Sequence, residues 1–365
     1  MTLAMVIPIR EGDWAILGKE KLPADNPKRT NEVTESVVEF LEDQAKRGNP
    51  FFMQVSYYAV HVSYDAQEST IEKYRNLPRG KYCVDADYET PPPTNNDWML
   101  MYAAMTEELY RGLSSILDKL EELNMDEDTY VIYVSDNGAC FRGNRPLSGG
   151  KGNIWEGGIR VPTVVMGPKV KKGSYCDIPI AGWDFYATIN DIIGGDPLPP
   201  EYDGGSLLNV FERGNRGRIE RSTPELIFHF PWYGHTMPAS AIVDGNMKLI
   251  INLHTGETKL FDLVKDIAEQ HDLSMKYPKR SAELKAKLEA YLMDVEAESL
   301  EAMYEARVEQ IDGEVKRARS EEHKAQILRK YDWIDESKAN TSWRYDFMEA
   351  FNWEKYNATD PSYPN

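Results

Sequence analysis

Residues 131 to 138 read Val-Ile-Tyr-Val-Ser-Asp-Asn-Gly, an apolar run that stops on a carboxylate, an amide and a glycine. Asp136 and Asn137 offer the hard oxygen ligands that Ca²⁺ or Mg²⁺ prefers. The same order is also ordinary turn chemistry, because Asx side chains bond their own backbone and Asn tolerates left-handed torsion angles. A second group follows in Ser-Gly-Gly-Lys-Gly-Asn-Ile-Trp-Glu-Gly-Gly-Ile-Arg-Val-Pro, where Lys151 stands among Gly149, Gly150 and Gly152, ahead of Gly157 and Gly158. Glycines let backbone approach a ligand closely, and a lysine among them meets an anion as a point charge. A nucleotide loop is excluded, since Gly152 stands where G-x-x-x-x-G-K-[ST] needs a hydroxyl and Ser148 where the spacing from Gly143 needs glycine. A plain surface loop would account for the glycines but not for the Lys-Gly-x-x-x-Glu-Gly-Gly-x-Arg-Val-Pro order.

The elements that must position these groups alternate. Val33, Val37, Val38, Phe40 and Leu41 recur at helical spacing, and Gly48, Asn49 and Pro50 stop the pattern. A β-rich run from Phe51 ends at His61. After a Pro- and Tyr-rich loop, Met101, Met105, Leu109, Leu113, Ile116 and Leu120 line one side of a long helix that leads into Val131–Val134. Another β run, Val-Pro-Thr-Val-Val-Met, and a short helix closed by Gly194 and Gly195 follow. This alternation predicts an α/β fold with a mainly parallel sheet, whose ligands sit beyond the carboxyl ends of the strands. His61 and Asp136 both fall there. Beyond about residue 220, short β runs joined by Asp-Gly-Asn and His-Thr-Gly-Glu predict a small antiparallel sheet followed by a helix. Residues 297–330 read as an exposed charged helix, and the aromatic end is expected to pack against the body.

Bulk properties narrow the classes. The chain has 365 residues and a formal net charge of −18, which argues against nucleic acid as a partner. No apolar run reaches the roughly 20 residues of a membrane span, so no membrane partner is expected. Three cysteines, Cys83, Cys140 and Cys176, are too few for a disulfide scaffold and lack metal-like spacing. The first residues show no basic region and no signal peptide, which leaves localisation open.

Read in order, these segments resemble the type I sulfatases of the alkaline-phosphatase-like superfamily. The resemblance runs from about residue 30 to 295 and is carried by Asn-Pro-Phe-Phe-Met-Gln-Val-Ser-Tyr-Tyr-Ala-Val-His, by Ser-Asp-Asn-Gly, by the Lys151 loop, and by the Asp-Gly hairpin with its Phe-Asp-Leu ending. It implies an α/β/α sandwich with a mainly parallel sheet and a C-terminal antiparallel subdomain carrying a helix. The implied activity is hydrolysis of sulfate esters, with sulfated small molecules or carbohydrates as partners. Asp136 and Asn137 match two ligands of the family's Ca²⁺, with Mg²⁺ second to it. Lys151 matches the lysine on a sulfate oxygen, and His61 the histidine near the leaving oxygen. Arg142, Arg145 and His235 are further candidates for substrate contact, and His229, Trp232 and Tyr233 either line the pocket mouth or simply pack at a strand end.

Two departures stand out. The family places Pro two residues after the histidine, and here Ser63 follows Val62. The paired aspartates and the Cys- or Ser-x-Pro-x-Arg motif, whose first residue becomes the formylglycine nucleophile, do not precede residue 30. Pro8 and Arg10 imitate that motif by chance, behind a Val6 that cannot become an aldehyde, and Gly18–Lys21 echoes a Gly-Lys segment without its histidine. The expectation is a chain missing its N-terminal half, weakly active or inactive alone, with that half as a possible partner. The competing readings are a non-catalytic binder of sulfated glycans and a phosphodiesterase or phosphonate hydrolase of the same superfamily. The expected division is an irregular segment over 1–29, the catalytic domain's later part over 30–218, the subdomain over 219–296 and an extension over 297–365.

Overall fold

The computed structural model describes residues 2–6, 27–61, 65–75, 98–139, 144, 146–232 and 238–330. They belong to two compact units, one holding the chain up to Val131 with Met166–Pro168, the other Ile132–Val165 and the chain onward from Lys169.

The first unit is built from β1 (Thr2–Val6), α1 (Thr30–Arg47), β2 (Phe51–Val55), α2 (Glu68–Arg75) and α3 (Trp98–Glu122). β1 and β2 pair in parallel, from Thr2 opposite Phe51 to Val6 opposite Val55. The expected irregular start therefore contains a strand, where the apolar run Thr-Leu-Ala-Met-Val finds a partner in β2. α1 ends at Gly48, which takes the left-handed φ of 63° that suits glycine and returns its N–H to Gln44 O at 2.8 Å. Its stripe of Val37 and Leu41 meets Ile116 and Leu120 of α3 over Phe51 and Met53 of β2. The two helices approach closely at Gly112, where a Cβ would stand 2.6 Å from Thr34 Oγ1. β2 stops at Val55 rather than His61. The chain turns because the Tyr57 hydroxyl sits 3.0 Å from the Thr34 hydroxyl and His61 N–H donates to Tyr58 O at 2.9 Å.

Next in chain order come β3 (Val131–Val134), the single-turn α4 (Glu156–Ile159) and β4 (Thr163–Met166), with β3 hydrogen-bonded to β4. α5 (Asp184–Ile192) and α6 (Leu208–Arg213) follow. Asp184, fully buried at the start of α5, accepts from Ala181 N, Gly205 N and both arms of Arg221 at 2.7–3.0 Å. It is a structural carboxylate, since each of its oxygens is taken by fixed donors.

β5 (Leu226–Phe230), β6 (Ala239–Asp244), β7 (Met247–Asn252) and β8 (Thr258–Asp262) form an antiparallel sheet in sequence order. The expected Asp-Gly-Asn hairpin is present, with Asp244 opposite Met247 and Gly245 at φ 60°. α7 (Pro278–Asp294) lays Leu284 and Leu288 on Ile242, Leu249, Ile251 and Leu260. α8 (Leu300–Lys316) and α9 (Glu321–Lys330) extend beyond it. Among the described residues no helix is long and apolar enough to cross a membrane.

Candidate functional site

β3 delivers its chain into a turn made by its own polar residues. Ser135 Oγ donates to Asn137 O at 3.1 Å, Asn137 N–H to Asp136 Oδ1 at 2.9 Å, and Asn137 Nδ2 to Gly138 O at 3.0 Å. These are turn bonds, and the turn they build leaves Asp136 at the surface with Asn137 half-buried beside it. The turn reading of Asp-Asn-Gly is observed, and this turn is what holds the two side-chain oxygens.

The Lys151 loop folds back onto that turn through main-chain contacts. Gly138 N–H donates to Gly158 O at 2.9 Å, Gly157 N–H to Ser148 O at 2.7 Å, and Lys151 N–H to Ala139 O at 3.0 Å. Asn144 bridges the two segments, accepting from Ala139 N at 3.1 Å and donating to Gly157 O. A Cβ on Gly138 would fall on Gly157 O, and one on Gly158 on Asn153 O, so backbone lies where side chains would be. The result seats half-buried Lys151 against the residue two positions after Asn137.

From below, the loop is tied to the antiparallel sheet. Ile154 and Trp155 pack on Ala241, Ile250 and Phe261, with the Trp155 and Phe261 rings 5.6 Å apart. Ser148 Oγ donates to Ala268 O at 2.7 Å and accepts from Gln270 Nε2 at 2.8 Å. Lys248 Nζ, fully buried on β7, lies 2.9 Å from Glu156 Oε1 and 2.8 Å from Glu269 Oε1. Burial alone would raise the Glu156 carboxyl, but Lys248 and Arg160 outweigh it and hold that group below the usual range. For Glu269, burial wins over the attraction of Lys248 and pushes the carboxyl up. Sequence reasoning missed this cluster. Its one visible signal was a lysine inside the apolar run Met-Lys-Leu-Ile-Ile.

His61, exposed, belongs to the first unit, and Asp136, Asn137 and Lys151 to the second. His229 is held at both ring nitrogens, by Ser240 Oγ at 2.7 Å and Glu298 O at 2.9 Å. Trp232 is half-buried. Arg142, Arg145, Tyr233 and His235 lie outside the described residues, as do residues 18–21 and the aromatic end. Among the described residues no three His, Cys, Asp or Glu side chains converge as a metal cluster would require.

The chain is similar in sequence and in fold to known proteins. The family model for sulfatases matches residues 14–195, about half of the chain. A sulfatase of Formosa agariphila is 30% identical over 316 residues, which are 78% of this chain and 53% of that protein. The chain thus spans about half the length of this relative. In three dimensions it is similar to Ps i-CgsB in complex with k-i-k-neocarrahexaose, with a TM-score of 0.57 at 20% identity over 91% of this chain and 60% of that one. It is also similar to BT4656 in complex with its substrate D-glucosamine-2-N,6-O-disulfate, with a TM-score of 0.58 at 19% identity, covering 72% of this chain and 69% of that one. These likenesses fix the alkaline-phosphatase-like fold. The family model and the Formosa agariphila relative show that the chain belongs to the sulfatase family.

Proposed function

We propose that the chain carries the anion-holding part of a sulfate-ester hydrolase whose ligand is a sulfated carbohydrate or a sulfated small molecule. The observation that carries this reading is the bond from Lys151 N–H to Ala139 O, which ties the main chain of Lys151 to the turn of Asp136 and Asn137. The relatives support the substrate class, since one is named with a carrageenan-type oligosaccharide and another with a disulfated glucosamine.

In this reading Lys151 pairs with a sulfate oxygen, and its charge counts most as negative charge gathers on the sulfate in the transition state. His61 protonates the departing oxygen. Arg142 and His235 contact the substrate. The family implies a divalent cation, and the donor set fits one: a surface carboxylate and an amide of the same turn are hard oxygen ligands. Asp136 and Asn137 would supply two of the six to eight oxygens that Ca²⁺ takes, in a shell more forgiving than the strict octahedron of Mg²⁺. When bound, the cation draws charge from the sulfate oxygens. No Cys- or Ser-x-Pro-x-Arg occurs in the 365 residues, so this chain by itself is expected to bind a sulfate ester without turning it over.

Calorimetry with inorganic sulfate and glucosamine sulfate, with and without calcium, tests the reading. Calcium-dependent binding that falls at least about tenfold, or 1.4 kcal/mol, in Lys151→Ala and Asp136→Ala supports it. Equal binding by all three proteins refutes it, and a preference for phosphate diesters moves the chain to the competing phosphodiesterase reading. Steady hydrolysis of an aryl sulfate by the purified chain would overturn the expected lack of turnover.

A further inference from the structure

Alternation along β7 sends Leu249 and Ile251 to the α7 face and Lys248 and Ile250 to the other, where Ile154 and Trp155 lie. A lysine with no solvent exposure in a core strand is costly, and only close, well-paired counter-charges recover the desolvation. Lys248 has two, Glu156 and Glu269, and they are themselves joined: Glu269 Oε2 accepts the N–H of Glu156 at 2.8 Å. On its far side Glu156 Oε2 takes Arg160 Nε at 2.5 Å. What this cluster fixes is the start of α4. The next two residues, Gly157 and Gly158, are those whose main chain bonds Ser148 and Gly138, and the same loop carries Lys151.

We propose that Lys248 is a positioning residue for the Lys151 loop: from inside the C-terminal sheet it clamps Glu156 and Glu269 together, and so sets where the main chain of residues 148–158 meets the Asp136–Asn137 turn. Its bearing on sulfate rests on the reading of Lys151 above, whereas the clamping itself does not.

Amide hydrogen exchange on the full chain tests it, with inorganic sulfate binding measured alongside. In Lys248→Met, the amides of residues 138–139 and 147–158 are expected to exchange at least about tenfold faster, while those of β6 and β7 change much less. Lys248→Arg, which keeps the charge, is expected to recover part of the protection. Unchanged protection in the loop, or equal loss in loop and strands, overturns the proposal. If Lys248→Met fails to fold, the triple variant Lys248→Met, Glu156→Gln, Glu269→Gln leaves no buried charge unpaired, since Arg160 is half-exposed, and gives the same two outcomes. A wild-type chain that binds no sulfate, beside a variant whose loop loosens, sinks the sulfate reading and leaves the positioning role standing.

Discussion

The two sheets of the later part of the chain are held in opposite ways. β6 and β7 are buried along most of their length, with α7 on one face and Ile154 and Trp155 on the other. β3 and β4 expose much of their apolar side-chain surface, with Val134 at 40%, Val164 at 63% and Met166 at 37%. Yet β3 is the strand that delivers Asp136 and Asn137. The antiparallel sheet is stabilised by its own core, and none of its strand residues carries the proposed chemistry. The chemistry-bearing turn is seated by main-chain hydrogen bonds, close glycine contacts and a buried ion cluster. Burial and the proposed chemistry are separated, and a loop connects them.

The sharpest way to break that comparison is at Lys248. Replacement by Met leaves Glu269 buried without a cation and Glu156 with Arg160 alone, and is expected to cost about 3–5 kcal/mol, read by thermal or denaturant unfolding. A loss below about 1 kcal/mol would mean that the cluster is not an anchor. Next, Leu260→Ala in the closed sheet should cost about 2–5 kcal/mol by leaving a cavity. Val164→Ala on the open strand should stay within about 0.5 kcal/mol, and similar losses at the two sites would erase the contrast. Gly158→Ala should cost about 1–3 kcal/mol, because its Cβ meets the Asn153 carbonyl. Its effect should fall on sulfate binding more than on the protection of β6 and β7.

A test in the first unit serves as a control. Lys73 and Tyr74, with Arg111, hydrogen-bond to Glu107 and lower its carboxyl to about 2. A carboxyl depressed in the folded state stabilises above its unfolded pKa, so this contribution is lost as pH falls from the ordinary 4.5 toward 2. Glu107→Gln should flatten that slope in acid unfolding and leave stability near neutral pH as the only difference.

How much of this was legible in the sequence depended on distance along the chain. Val33, Val37 and Leu41 declared α1 because helical spacing is local, and Asp136, Asn137 and Lys151 could be picked out because each sits in a short run with its own signal. The end of β2 was misplaced because a hydroxyl contact between Tyr57 and Thr34, made across the fold, turned the chain before His61. The ion cluster was illegible for the same reason, since Lys248 and Glu269 lie 92 and 113 positions from Glu156. A residue pattern announces burial of a charge, as Met-Lys-Leu-Ile-Ile does, but not which counter-charge the fold will bring to it.

Lys248 is also out of reach of counterions, and this gives the molecule two different responses to ionic strength. Surface pairs such as Lys285 with Glu289 weaken as salt shortens the Debye length from about 10 Å at 0.1 M to about 3 Å at 1 M. The Lys248 pairs, with no exposure on either the lysine or Glu269, do not feel that change. Lys151, half-exposed, does. Brine should therefore weaken the grip on a sulfated ligand while leaving the architecture of the loop that offers it intact.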